Sequence, residues 1–136
     1  MRQDQLRLQN WQYNDYGNYN YRYYRGGNYY ETNQYGANLL RQAVNYGYDE
    51  GFRAGQADRE DGWEPSYQDS FAYQDATYGY DGYYVDVNEY QYYFREGFQR
   101  GYEDGYYGRN QYGRYSNGVY NILGNILAQI LNIQNY

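Results

Sequence analysis

The chain has 136 residues, enough for one domain with tails, and a formal net charge of −6. It holds 27 tyrosines but no Cys, His or Lys; this removes the usual zinc ligands, thiol nucleophiles and imidazole bases, and leaves Arg as the only basic residue. Leu, Ile, Val and Phe together fill only 19 of the 136 positions, so tyrosine has to build the interior, with its hydroxyls reaching outward or into polar networks.

Residues 1–36 read as a low-complexity arm of Tyr, Asn, Gly and Arg, with no helical stripe and with Gly26-Gly27 and the Asn residues favouring turns. Residues 38–59 read as a helix, because Leu40, Val44, Gly47, Gly51 and Gly55 follow at steps of three or four. Gly62 and Pro65 end it. Residues 67–78 fit a shorter helix and residues 79–87 a loop or brief extended stretch. Residues 88–107 form the second long helix, with Asn88 as N-cap and Gly108 as stop. After a polar linker at 109–117, residues 118–134 place Val119, Ile122, Leu123, Ile126, Leu127, Ile130 and Leu131 at helical spacing, with uncharged amides between them. The expected fold is all-α: a small helical domain at 37–108, and a linker and C-terminal apolar helix at 109–136.

The two long helices carry nearly the same segment. Glu50-Gly51-Phe52, Gly55 and Asp58 recur as Glu96-Gly97-Phe98, Gly101 and Asp104, at an offset of 46 residues. With Gly47-Tyr48 before the first copy and Gly105-Tyr106 after the second, each helix bears a glycine every four residues, and all of these but Gly55 are followed by an aromatic. A glycine costs about 1 kcal/mol against alanine inside a helix, so three per helix need a compensating close approach of backbones. The helices are therefore expected to pack through Gly47, Gly51, Gly55, Gly97, Gly101 and Gly105, flanked by Phe52 and Phe98. The order Gly47-Tyr48, Gly51, Gly55, Asp58, then Tyr73-Gln74-Asp75-Ala76 with Gly79-Tyr80, then Tyr93-Phe94-Arg95, Gly97-Phe98, Gly101-Tyr102 and Gly105-Tyr106 resembles a group of uncharacterised secreted bacterial proteins, familiar from acidobacterial sequences. The resemblance covers about residues 43–108 and implies export and a small helical domain. It carries no activity and no catalytic residues.

Asp49, Glu50, Asp58, Glu96, Glu103 and Asp104 are the carboxylates in the helices. The equivalence of Asp58 and Asp104 in the repeat suggests that they face one another and share a cation or an arginine. The spacing of Asp49 to Arg53 and of Glu96 to Arg100 points instead to pairing on the helix surface. The acidic run from Asp81 to Glu89 offers oxygen ligands but does not match the twelve-residue calcium loop. Residues 1–48 and 105–136 each carry a small excess of Arg, while residues 49–104 hold four Arg against fourteen acids. That charge pattern speaks against nucleic acid and permits end-to-middle attraction between copies. No stretch has the length of apolar sequence that spans a membrane.

These readings point to a non-enzymatic, secreted or cell-surface structural protein with no cofactor. It would self-associate as a homo-oligomer, filament or matrix component through Tyr stacking, Arg–carboxylate contacts and the apolar residues Ile122, Leu123, Ile126, Leu127, Ile130 and Leu131. The alternative is a monomeric, tyrosine-rich module that binds polysaccharide. A calcium-dependent module ranks third.

Overall fold

In the computed structural model, which describes residues 21–25, 28–82 and 85–135, the two long helices lie side by side and everything else is laid against them. An antiparallel hairpin comes first, β1 (Tyr21–Arg25) and β2 (Asn28–Thr32), with Arg25 opposite Asn28. Helix α1 (Gln34–Glu60) starts at once, because the Asn33 side chain accepts the Gly36 N–H at 2.8 Å and satisfies one of the open donors of the first turn. Beyond Glu60, Gly62 adopts a left-handed φ of +73° and the chain turns away. A single 3₁₀ turn (Tyr67–Asp69) and the short helix α2 (Phe71–Asp75) follow. The second long helix, α3 (Val87–Tyr107), ends on Gly108, whose φ of 64° lets its N–H reach the Asp104 carbonyl. Strands β3 (Gly113–Ser116) and β4 (Val119–Ile122) then form a second hairpin, helix α4 (Gly124–Leu131) follows, and β5 (Gln134–Asn135) pairs with β1 to complete a three-stranded sheet in the order β2-β1-β5.

The fold is thus mostly helical but not all-α, and four expectations change. The N-terminal arm does not extend to residue 36: residues 28–32 and 21–25 are strands, α1 has begun by Gln34, and Tyr23 is buried. The part of the arm at residues 1–20 lies outside the described residues. The polar linker at 109–117 contains β3, and the helix expected over 118–134 is a strand up to Ile122 and a helix only from Gly124 to Leu131. The N-cap of α3 is Asp86 and not Asn88, with no side-chain cap bond; the carboxylate still lies at the positive end of the helix.

The core is aromatic. Tyr48, Tyr90, Tyr93, Phe94 and Phe98 are fully buried beside Leu40 and Val44, and Tyr102 nearly so. Along α3 the rings of Tyr90, Phe94, Phe98, Tyr102 and Tyr106 form a ladder with successive centroids 6.4, 6.4, 6.4 and 6.0 Å apart and planes within 28° of each other. Three of the buried phenols have their hydroxyls bonded: Tyr48 to Asp104, Tyr90 to the Tyr78 carbonyl and Tyr102 to Asp58.

Candidate functional site

The seam between α1 and α3 is built on glycine. A Cβ added at Gly47, Gly51 or Gly55 would overlap the carbonyl oxygens of Phe94, Phe98 and Tyr102, and one added at Gly97, Gly101 or Gly105 would overlap those of Val44, Tyr48 and Phe52. Partners advance together along both chains, so the helices run parallel, backbone against backbone. Each glycine of α1 has its spatial counterpart 50 residues on, as do the carbonyls they meet. That is one helical turn beyond the 46-residue offset of the repeated segment: a four-residue stripe allows either register, and the structure takes the longer one. Phe98 is fully buried, and Phe52 is buried with its ring stacked on Tyr120 at 3.8 Å between centroids.

The one-turn shift decides what becomes of the paired carboxylates. Asp58 and Asp104 each take a tyrosine from the opposite helix. The Tyr102 hydroxyl donates to Asp58 at 2.5 Å, and the Tyr48 hydroxyl donates to Asp104 at 2.6 Å. Asp104 is fully buried near the C-terminal end of α3, where the helix dipole disfavours a carboxylate. It is held there by the backbone N–H groups of Gln111 (3.2 Å) and Tyr112 (2.8 Å) and by the Arg109 guanidinium (3.5 Å). Asp104 therefore ties the α1–α3 pair to the start of the second hairpin. Burial, and then the carboxylate beside it, pushes the Tyr48 phenol far above its ordinary value. The same two causes push Tyr102 up to about 12.

A row on α1 holds that hairpin from its other side. The Asn45 side-chain oxygen accepts the Ile122 N–H and the Asp49 carboxylate accepts the Tyr120 N–H, both at 2.9 Å, while Arg53 donates to the Gly118 carbonyl at 2.9 Å. Spaced four residues apart, these three side chains stand where a third strand would stand and satisfy the edge of β4. Asp49 also pairs with Arg53 at 3.3 Å, and its hydrogen bond raises the Arg53 guanidinium above its ordinary value. The hairpin closes on Asn117-Gly118 with φ of 53° and 83°, the mirror-image turn that suits a two-residue loop. Asn-Gly is the sequence signal that would have revealed the hairpin.

The remaining carboxylates are placed as follows. Glu96 pairs with Arg100 and Glu103 with Arg109, both at 3.0 Å. Glu50 is half-buried, and burial, followed by the neighbouring Asp49, raises its carboxyl above the usual range. Among the described residues no group of three or more acidic side chains is placed to hold a metal ion. Asp81 of the acidic run accepts the Tyr35 hydroxyl at 2.9 Å.

An open surface cleft of about 450 Å³ lies where α2 meets α3, lined by Tyr73, Asn88, Gln91, Tyr92, Arg95 and Glu96. Its wall is held by α3 side chains that cap the last carbonyls of α2: Arg95 donates to those of Tyr73 at 2.9 Å and Gln74 at 2.5 Å, and Gln91 to that of Asp75 at 2.8 Å. The guanidinium of Arg95 also lies over the Tyr73 ring, 5.6 Å from its centroid. Compared with protein-family models, curated proteins and solved structures, the chain matches none.

The apolar residues of the C-terminal segment lie against the chain's own core. Ile122 and Leu131 are buried in it, Ile126, Leu127 and Ile130 are half-buried against it, and Leu123 is half-buried at the start of α4. The rings that face outward come from elsewhere. Phe71 is 77% exposed and Trp63 63%, both on the connection between the long helices. Among the described residues no helix is long and apolar enough to cross a membrane.

Proposed function

We propose that this is a secreted, non-catalytic structural protein whose copies assemble through outward-facing aromatic rings and arginines. The observation that carries the reading is the exposure of Phe71 and Trp63 on a strongly acidic connection, while the helix seam consumes no large side chains at its glycines. Exposed rings of this size favour burial against a partner. The chain's own contacts supply the pattern: arginines lie over tyrosine rings at Arg22–Tyr29, Arg53–Tyr120, Arg59–Tyr106 and Arg109–Tyr107, between 4.9 and 5.4 Å from the centroid. The same contact between copies joins arginine-bearing ends to a Tyr-rich, acidic middle. Ile122 and Leu131, buried at home, enter such an interface only if the C-terminal segment is exchanged between chains. Export follows the resemblance to secreted bacterial proteins.

The test is size against concentration, by light scattering and electron microscopy. Assembly predicts particles or filaments that grow with concentration and are lost in Phe71→Ser/Trp63→Ser with the melting temperature unchanged. A chain that stays monomeric at high concentration removes the reading. A second reading, a monomeric module for polysaccharide, is favoured by the cleft at Tyr73 and Tyr92, whose rings and amides suit a sugar's faces and hydroxyls. It predicts saturable changes in tyrosine fluorescence with a glycan and no particles; flat titrations across a glycan panel end it.

A further inference from the structure

Four tyrosines among the described residues are more than half exposed: Tyr29 (60%), Tyr78 (59%), Tyr107 (53%) and Tyr115 (60%). They stand on separate elements, namely β2, the turn after α2, the last residue of α3 and β3. They are also spread along the long axis of the helix pair. The Tyr78 carbonyl takes the hydroxyl of Tyr90 in the first turn of α3, and from Tyr90 to Tyr107 that helix rises about 25 Å. By contrast Tyr48, Tyr90, Tyr93 and Tyr102 are buried and cannot meet a ring of another molecule. With no Cys and no Lys, the chain has neither a disulfide nor a lysine amide available to fix copies together, while phenol is its most abundant reactive group.

We infer that Tyr29, Tyr78, Tyr107 and Tyr115 are sites of oxidative phenol coupling between copies of this chain, with a one-electron oxidant of the peroxidase type as co-reactant. The chemistry balances. Each of two phenols loses one electron and one proton to become a tyrosyl radical. The two radicals join through the ring carbons ortho to oxygen, forming one C–C bond, and the two ring hydrogens move to the oxygens to restore both phenols. Hydrogen peroxide takes up the two electrons and the two released protons, together with two already in its oxygens, and leaves as two waters. Because each molecule carries reactive rings at separated places, coupling does not stop at a dimer; it extends a chain or network, as a contact that does not close on itself must. Burial of Tyr48, Tyr90, Tyr93 and Tyr102 keeps the reaction away from the core. The inference takes its purpose from the assembly reading but not its chemistry, and the experiment separates the two.

The full chain is treated with a peroxidase and hydrogen peroxide, then examined on denaturing gels, by fluorescence of the coupled rings and by peptide mass mapping. The expected result is a ladder extending past dimer, with coupled peptides containing Tyr29, Tyr78, Tyr107 or Tyr115. Replacing all four by Phe, which keeps each ring and removes only the hydroxyl, lowers the yield of covalent oligomers at least fivefold while circular dichroism is unchanged. Coupling confined within one chain, for example between the facing Tyr115 and Tyr120 of the hairpin, overturns the inference. So does coupling that maps to other tyrosines, or a four-fold variant that ladders as the parent does. Untreated protein sized in parallel tests the assembly reading by itself. A monomer that nonetheless ladders at these sites supports the coupling and removes the assembly, and particles that never ladder do the reverse.

Discussion

Tyr48 and Asp104, one on each long helix, meet in the core through a 2.6 Å hydrogen bond between phenol and fully buried carboxylate. The bond joins the two helices and the hairpin that follows, because the same carboxylate takes the N–H groups of Gln111 and Tyr112. Removing the carboxylate leaves the buried Tyr48 hydroxyl and the two N–H groups without their acceptor, whereas removing the hydroxyl only takes one of several donors from the carboxylate. Tyr48→Phe is expected to cost about 1–2 kcal/mol, and Asp104→Asn about 3 kcal/mol, since an amide turns donors toward donors. Urea unfolding of both single variants and the double variant checks this. Strict additivity would mean that the two residues do not depend on each other.

Alkaline pH weakens the fold through the buried phenols. Tyr48, Tyr90 and Tyr102 all titrate above the ordinary phenol value of 10, burial being the first cause in each, and Tyr102 is pushed up to about 12. The folded chain therefore holds these protons more tightly than the unfolded chain. The stabilisation is fully present below pH 10 and falls as pH climbs from there through the folded values. Urea midpoints measured on both sides of pH 10 should drop on the alkaline side, and less steeply in Tyr102→Phe. A midpoint that holds constant into that range would contradict the assignment.

The glycine seam reverses the usual effect of alanine. In an open helix position Gly→Ala gains about 1 kcal/mol. At Gly51 and Gly101 the new methyl meets a carbonyl of the facing helix, so each substitution should instead destabilise by about 3 kcal/mol or more, as overpacking against backbone does. Gly124 opens α4 with nothing within 4 Å of an added Cβ, and Gly124→Ala should be neutral or stabilising. Thermal melts of the three variants compare the sites directly; tolerance at Gly51 and Gly101 would separate the helices.

The Asn45–Asp49 row predicts protected amides at an edge that has no strand beside it among the described residues. Hydrogen exchange should find the Ile122 and Tyr120 N–H groups slow in the native protein. Asn45→Ala should release the first and Asp49→Ala the second, each at a cost of about 1–3 kcal/mol. Unchanged protection in both variants would place the hairpin elsewhere.

The sequence by itself determined both long helices and their contact surfaces, because a glycine every fourth residue has few uses other than close backbone approach, and Gly62 and Gly108 mark where they stop. It also determined that the core would be built of tyrosine, since so few aliphatic residues are present. Only the tertiary structure decided the parallel direction and the register: a four-residue stripe fits its neighbour equally well one turn along, and which turn is used depends on the side chains at its margins, Tyr48 with Asp104 and Tyr102 with Asp58. It decided the second hairpin too. Val119, Ile122, Leu123 and Ile126 have helical spacing, but the N–H groups of Tyr120 and Ile122 find acceptors on α1 and Tyr120 stacks on Phe52, so partners distant in sequence override the local period. Which rings are left facing solvent follows from that packing and from nothing in the spacing of the tyrosines.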